Sequence, residues 1–156
     1  PDYIAHQAIA TCEEAKDFHM PLRGVDTKNL FLVTDTPEER FYLVTVGHNK
    51  RVDLKSLANI IGVGRFSFGT EEELFRLLGV FPGSVTPMGL INDHYKSVTF
   101  VIDRVLWDSS EICCHPLVNT ATISLSHEDF SRFLSYTGHE PLVLEVPAMR
   151  PIQVNS

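Results

Sequence analysis

The sequence predicts an α+β domain with a mixed, largely antiparallel sheet and helices packed around it. Three observations carry this. Short runs rich in β-branched and aromatic residues alternate with capped helical segments, no regular strand–helix–strand period organises them, and two of the strands are close enough to form a hairpin. Taken in order, Thr11-Cys12-Glu13-Glu14 reads as a capping box opening a short helix toward Phe18, a hydroxyl and a Glu three residues on satisfying orphan backbone donors. Leu30–Thr34, the turn-prone Asp35-Thr36-Pro37 and Phe41–Val46 read as a β-hairpin with Lys28 and Asn29 at its mouth. Asp53 caps a helix over Leu54–Ile61 closed by Gly62, with Leu54, Leu57, Ala58 and Ile61 at helical spacing. Thr70-Glu71-Glu72-Glu73 opens a second helix that ends before Gly79, and Ser126 caps a third that carries Phe130, Phe133 and Leu134 inward and stops at Gly138. Further strands are expected at Ser97–Ile102, Glu111–His115, Ala121–Leu125 and Leu142–Val146, followed by an extended tail from about residue 147.

Residues 1–156 are expected to form one domain, long enough to bury about two thirds of the surface its unfolded chain exposes. No apolar run approaches the ~20 residues of a membrane span and no signal-peptide pattern opens the chain, so a soluble, cytoplasmic protein without membrane contact is expected. Three cysteines, with Cys113 and Cys114 adjacent, make neither a disulfide framework nor a metal knuckle, and a reducing compartment fits them. The net charge of −7 speaks against indiscriminate nucleic-acid binding. Positive charge is nevertheless gathered between residues 23 and 65, where Arg23, Lys28, Arg40, Lys50, Arg51, Lys55 and Arg65 outnumber five acids, a polarity suited to orienting an anionic ligand.

Several chemistries lack their residue patterns. Seven histidines are scattered with no His-Glu-x-x-His or comparable pair, so neither a metal site nor a cofactor is expected. Gly83-Ser84-Val85-Thr86-Pro87 is not the Gly-x-Ser-x-Gly elbow of a serine hydrolase, and Ser84 reads as a turn residue after Pro82-Gly83. Gly62-Val63-Gly64 has Ser67 where a dinucleotide fingerprint needs its third glycine. In a strand, Cys113 and His115 share one face, which leaves a Cys-His pair open beside the alternative of small core cysteines.

Three motifs in a fixed order remain: Lys28-Asn29-Leu30-Phe31-Leu32, the Gly-x-x-x-Pro element Gly83 to Pro87 inside Leu78–Leu90, and His115–Thr122. Together they resemble the YbaK/ProX superfamily of aminoacyl-tRNA deacylases, the freestanding relatives of the prolyl-tRNA synthetase editing domain, over residues 11–139. The Lys-Asn pair leading into Leu-Phe-Leu looks most like the ProXp-ala or PrdX subgroup, which acts on Ala-tRNA(Pro).

The resemblance implies a metal-independent hydrolysis of the aminoacyl ester of mischarged tRNA, with the tRNA acceptor end as partner and prolyl-tRNA synthetase as a further one. Lys28 is then placed to stabilise charge on the ester carbonyl or to anchor the terminal phosphate, and Asn29 to hold the aminoacyl α-ammonium. Gly83 to Pro87 forms a stiff turn, with Pro82 and Pro87 fixing φ and Gly83 free to take φ > 0; it sets the backbone groups of Ser84, Val85 and Thr86 against the terminal adenosine and the attacking water. His115 borders the pocket or orients the ester, Asn119 and Thr120 supply small polar walls, and Lys50 meets tRNA phosphates or stands as a solvated turn lysine. Asp26 and Met88 depart from the family pattern. Two other functions stay open: deacylation of a different ester such as Ser- or Cys-tRNA, and a silent tRNA-binding or regulatory module on the same fold.

Overall fold

A computed structural model of the chain describes residues 25–114 and 123–150. The helix expected from Thr11, and the candidate residues His115, Asn119 and Thr120, lie outside them.

Strand β1 (Val25–Thr34) pairs antiparallel with β2 (Phe41–Gly47), setting Leu30 opposite Val44 and Asn29 opposite Thr45. The turn between them is drawn tight by Thr34, whose N–H donates to the Arg40 carbonyl at 3.0 Å and whose hydroxyl accepts the Arg40 N–H. Phe41 through Val46 are all buried, because both faces of the sheet are covered. Phe41 and Leu43 join Phe31 and Val33 in the larger core, whereas Tyr42, Val44 and Val46 join Leu32 in the smaller.

Helix α1 (Leu54–Ile61) closes the smaller core with Leu57 and Ala58. Asp53 caps it, accepting from the Ser56 N–H, and that hydrogen bond holds the Asp53 carboxyl below its ordinary pKa. The larger core lies under α2 (Glu71–Leu78), which opens with the Thr70–Glu73 capping box, a 3₁₀ helix over Pro87–Asn92, and the helix His127–Thr137 capped by Ser126. The caps stand where the sequence puts them, since each is a contact within three or four residues.

Three elements had no local signal. The three-residue β3 (Phe66–Phe68) exists through its antiparallel pairing with Leu32–Thr34, the 3₁₀ helix extends what reads as a turn, and the four-residue α3 (Arg104–Trp107) follows β4 (Val98–Asp103) directly. With β5 (Glu111–Cys114), β6 (Ile123–Ser126) and β7 (Leu142–Leu144), the described strands form one sheet in the order β6-β5-β1-β2-β4-β7, with β3 also on β1. The helix His127–Thr137 is thus α4. The sheet is mixed, as expected: β1–β2, β1–β3 and β5–β6 run antiparallel, while β1–β5, β2–β4 and β4–β7 run parallel. Parallel neighbours need long crossovers, and the helices between β2 and β4 and between β4 and β7 supply them. The tail is extended as far as it is described: Val52 bridges Ala148, the Asp53 N–H donates to Pro147, and the Met149 N–H donates to Arg51.

Candidate active site

Lys28 and Asn29 lie inside β1, not at its start, since the strand begins at Val25 and pairs Thr27 with Gly47. Neighbouring strand residues point to opposite faces, so Asn29 shares a face with Phe31 and Val33 while Lys28 shares one with Leu30 and Leu32. The two halves of the Lys-Asn pair therefore address different sides of the sheet.

Asn29 links two elements. Its Nδ2 donates to the Val85 carbonyl at 3.0 Å, and its Oδ1 accepts from the fully buried Thr45 hydroxyl at 2.5 Å. The amide expected to hold an α-ammonium thus ties the Gly83–Pro87 segment to the hairpin. Thr45, absent from the sequence-derived site, is the missed member of this link. Its signal was an aliphatic hydroxyl in the otherwise apolar and aromatic run Phe41–Val46.

The segment itself is rigid. The Ser84 N–H and hydroxyl both donate to the Phe81 carbonyl, at 3.0 and 3.1 Å, closing a turn in which Gly83 has φ +88°. Thr86, fully buried, caps the 3₁₀ helix by accepting from the Met88 N–H, and Pro87 follows in its first turn. Gly89 allows this helix to lie on α2, because a Cβ there would stand 2.9 Å from the Leu78 carbonyl oxygen. Beneath, Asp93 caps the 3₁₀ helix's far end. Its carboxylate accepts from the Ser97 and Val98 N–H groups at 3.0 and 2.8 Å and lies 2.9 Å from Nε2 of the buried His139. Burial pushes the Asp93 carboxyl up, but the bonds from His139, Val98 and Ser97 outweigh it and leave its pKa below the ordinary value.

Lys28 is half-buried, and among the described residues it makes no ion pair or hydrogen bond. Beside it the sheet changes partner: β5 pairs with β1 at Val25 and Asp26, and β3 from Leu32 onward. Lys50, expected to meet tRNA phosphates, turns inward instead. Its Nζ lies 2.5 Å from Asp103 Oδ2 and donates to the Val146 carbonyl at 2.8 Å, while Asp103 is 2% exposed and also accepts from the Val146 N–H. A buried carboxylate is costly without a paired charge or hydrogen bonds, and among the described residues Lys50 supplies the charge. Cys113 and Cys114 are both buried. No group of three or more potential metal ligands occurs among the described residues, and no helix among them is long and apolar enough to cross a membrane.

Comparison with known proteins bears on this arrangement. A family model described as an aminoacyl-tRNA editing domain matches residues 6–133. The chain is 38% identical over 143 residues to the prolyl-tRNA synthetase associated domain-containing protein 1 of Danio rerio, covering 90% of this chain and 77% of that one. It is 33% identical over 143 residues to the prolyl-tRNA editing protein ProX of Acetoanaerobium sticklandii, covering 92% and 87%. The fold resembles the crystal structure of a proposed trans-editing enzyme for prolyl-tRNA synthetase, with a TM-score of 0.59 at 21% identity over 87% of this chain and 78% of that one.

Proposed function

The chain belongs to the aminoacyl-tRNA editing domain family, the YbaK/ProX superfamily its motifs resemble, and from that premise we propose that it hydrolyses the ester of mischarged tRNA in trans, with Ala-tRNA(Pro) as its substrate. The observation that supports the reading most is Lys28. A half-buried lysine without a countercharge among the described residues, on the face of β1 opposite the Asn29 link, suits an anion that arrives with the substrate. Lys28 then stabilises charge on the ester carbonyl or holds the terminal phosphate. The backbone of residues 83–87, fixed through Asn29, positions the acceptor end and the attacking water. Asn29 acts by holding the turn, and Lys50 by holding the fold. His115, Asn119 and Thr120 are proposed, from the family resemblance alone, to border the amino-acid pocket. The reaction is assigned to water, without a metal or a cysteine nucleophile, and to the cytoplasm, with prolyl-tRNA synthetase as a further partner.

The need for such a reaction is physical. A synthetic site shaped for proline rejects the smaller alanine weakly, since a missing methylene is worth only about 1–3 kcal/mol, and a second, smaller pocket corrects the error. The test is deacylation by the purified chain of tRNA(Pro) carrying labelled alanine, proline, serine or cysteine. Alanine is expected to be released far faster than proline, with rates unaffected by chelators or thiol-blocking reagents and weakened by salt. Equal rates on alanine and proline would refute the size sieve, and a preference for serine or cysteine would reassign the substrate. Binding without cleavage of any member would leave a silent tRNA-binding module.

A further inference from the structure

We propose that the stacked pair Phe75–Phe81 is a platform for an unpaired nucleobase at the 3′ end of the tRNA, a contact additional to the ester site and resting on the reading above. Phe75 lies on α2 and Phe81 on the loop that follows, with ring centroids 5.2 Å apart and planes 23° from parallel. Both rings are more than half exposed, at 54% and 63%. Two phenylalanines stacked on each other yet open to water bury only part of their apolar area, and their outer π-faces remain available.

Position argues for a nucleotide as the occupant. The Phe81 carbonyl is the acceptor that closes the Gly83 turn, receiving both the N–H and the hydroxyl of Ser84. The platform is therefore rigidly continuous with the segment that Asn29 holds by Val85, and a strand end lying along that segment would pass the rings within a residue or two. The charge nearby is mixed: Glu71 and Glu72 lie four and three residues before Phe75 on its side of α2, and the exposed Arg76 lies one position beyond it. The contact is therefore assigned to base stacking alone. Stacking tolerates any base, as a ligand with a constant single-stranded end requires, and one aromatic–base stack typically carries about 1–3 kcal/mol.

The experiment uses the purified chain and a deacylated RNA minihelix whose single-stranded 3′ end carries 2-aminopurine. The wild type is expected to quench the probe on binding. Phe75→Ala and Phe81→Ala should each weaken binding about fivefold or more and relieve the quench, whereas Phe68→Ala, which removes an equally exposed ring outside the pair, should change neither. In deacylation the loss should appear in KM more than in kcat, and melting temperatures should hold because both rings are exposed. Phe81→Tyr should retain binding and Phe81→Leu should lose it, since Leu keeps the apolar surface without the π-face. Unchanged affinity and quench in both alanine variants would overturn the platform even while Ala-tRNA(Pro) is cleaved. So would full binding by Phe81→Leu, or loss of self-association or of synthetase binding in place of RNA binding, which would make the pair a protein contact. Failure of the wild type to cleave any aminoacyl-tRNA would instead strike the reading on which the inference rests.

Discussion

Two lysines stand near the open end of the same hairpin and have opposite surroundings. Lys50, just past β2, has an ion pair with the buried Asp103 and a carbonyl acceptor in Val146; Lys28, in β1 opposite Val46, has neither among the described residues. A charge whose partners are built into the fold contributes to holding it, and removing one partner strands the other in a low-dielectric place. A charge held half out of water without a partner contributes little to folding and is free to meet a ligand. The contrast separates two residues that look alike in the sequence, both polar punctuation at the ends of apolar strands.

Substituting each lysine tests the contrast most sharply. Lys28→Ala is expected to lower deacylation by about two orders of magnitude or more, the equivalent of roughly 3–4 kcal/mol for a lost preorganised donor, with the melting temperature nearly unchanged. A folded Lys28→Ala enzyme turning over at the wild-type rate would remove Lys28 from the chemistry. Lys50→Ala should do the reverse. It leaves Asp103 buried and unpaired, so stability to urea should fall by about 2–4 kcal/mol while the folded fraction keeps its rate. Loss of RNA affinity without loss of stability would return Lys50 to the phosphate role.

Gly83→Ala gives a smaller effect that probes the turn rather than a charge. A Cβ at residue 83 meets nothing within 4 Å, so the cost comes from φ +88° alone, about 1 kcal/mol. Activity should fall by more than that figure if the turn sets backbone groups against the ester. A lowered melting temperature with full activity would leave the turn a purely structural role.

The smallest effect extends the comparison to Asp93, like Asp103 a buried carboxylate with built-in partners. Its folded-state pKa lies below the ordinary value because hydrogen bonds from His139, Val98 and Ser97 outweigh burial, so its stabilisation is present above the unfolded carboxylate pKa of about 4. That contribution is lost as pH falls below about 4 toward the folded value. Melting temperatures followed from pH 6 to pH 3 should therefore drop more steeply in the wild type than in Asp93→Asn. Parallel curves would show that Asp93 does not link stability to pH.

The lysine contrast also marks what was legible beforehand. Asp53 with Gly62, Thr70 with Glu73 and Gly79, and Ser126 with Gly138 bound their helices in the sequence because capping is settled within a few residues. The parallel neighbours of β2 and β4, the pairing that makes a strand of Phe66–Phe68, and the partner of Lys50 were hidden because each lies far along the chain or on another element. The candidate site was proposed from its residues and not from its geometry. Lys28, Asn29 and the rigid Gly83–Pro87 turn were identifiable, and the positive φ of Gly83 follows from its place after Pro82. That Asn29 and Lys28 face opposite sides could also have been foreseen from strand alternation, had the strand been started at Val25 instead of Leu30.

The tail's attachment has a temporal consequence. During synthesis the hairpin leaves the ribosome first, yet Lys50 waits for Asp103 and Val146, the backbone at Arg51–Asp53 waits for Pro147–Met149, and β4 waits for β7. Contacts of such long sequence separation form late and slowly. A nascent chain halted before residue 142 therefore exposes one edge of β4 and leaves the Asp53 N–H and the Arg51 carbonyl without their tail partners, and the domain locks only when its closing segment has been translated, so that a prematurely terminated product is left open to proteolysis.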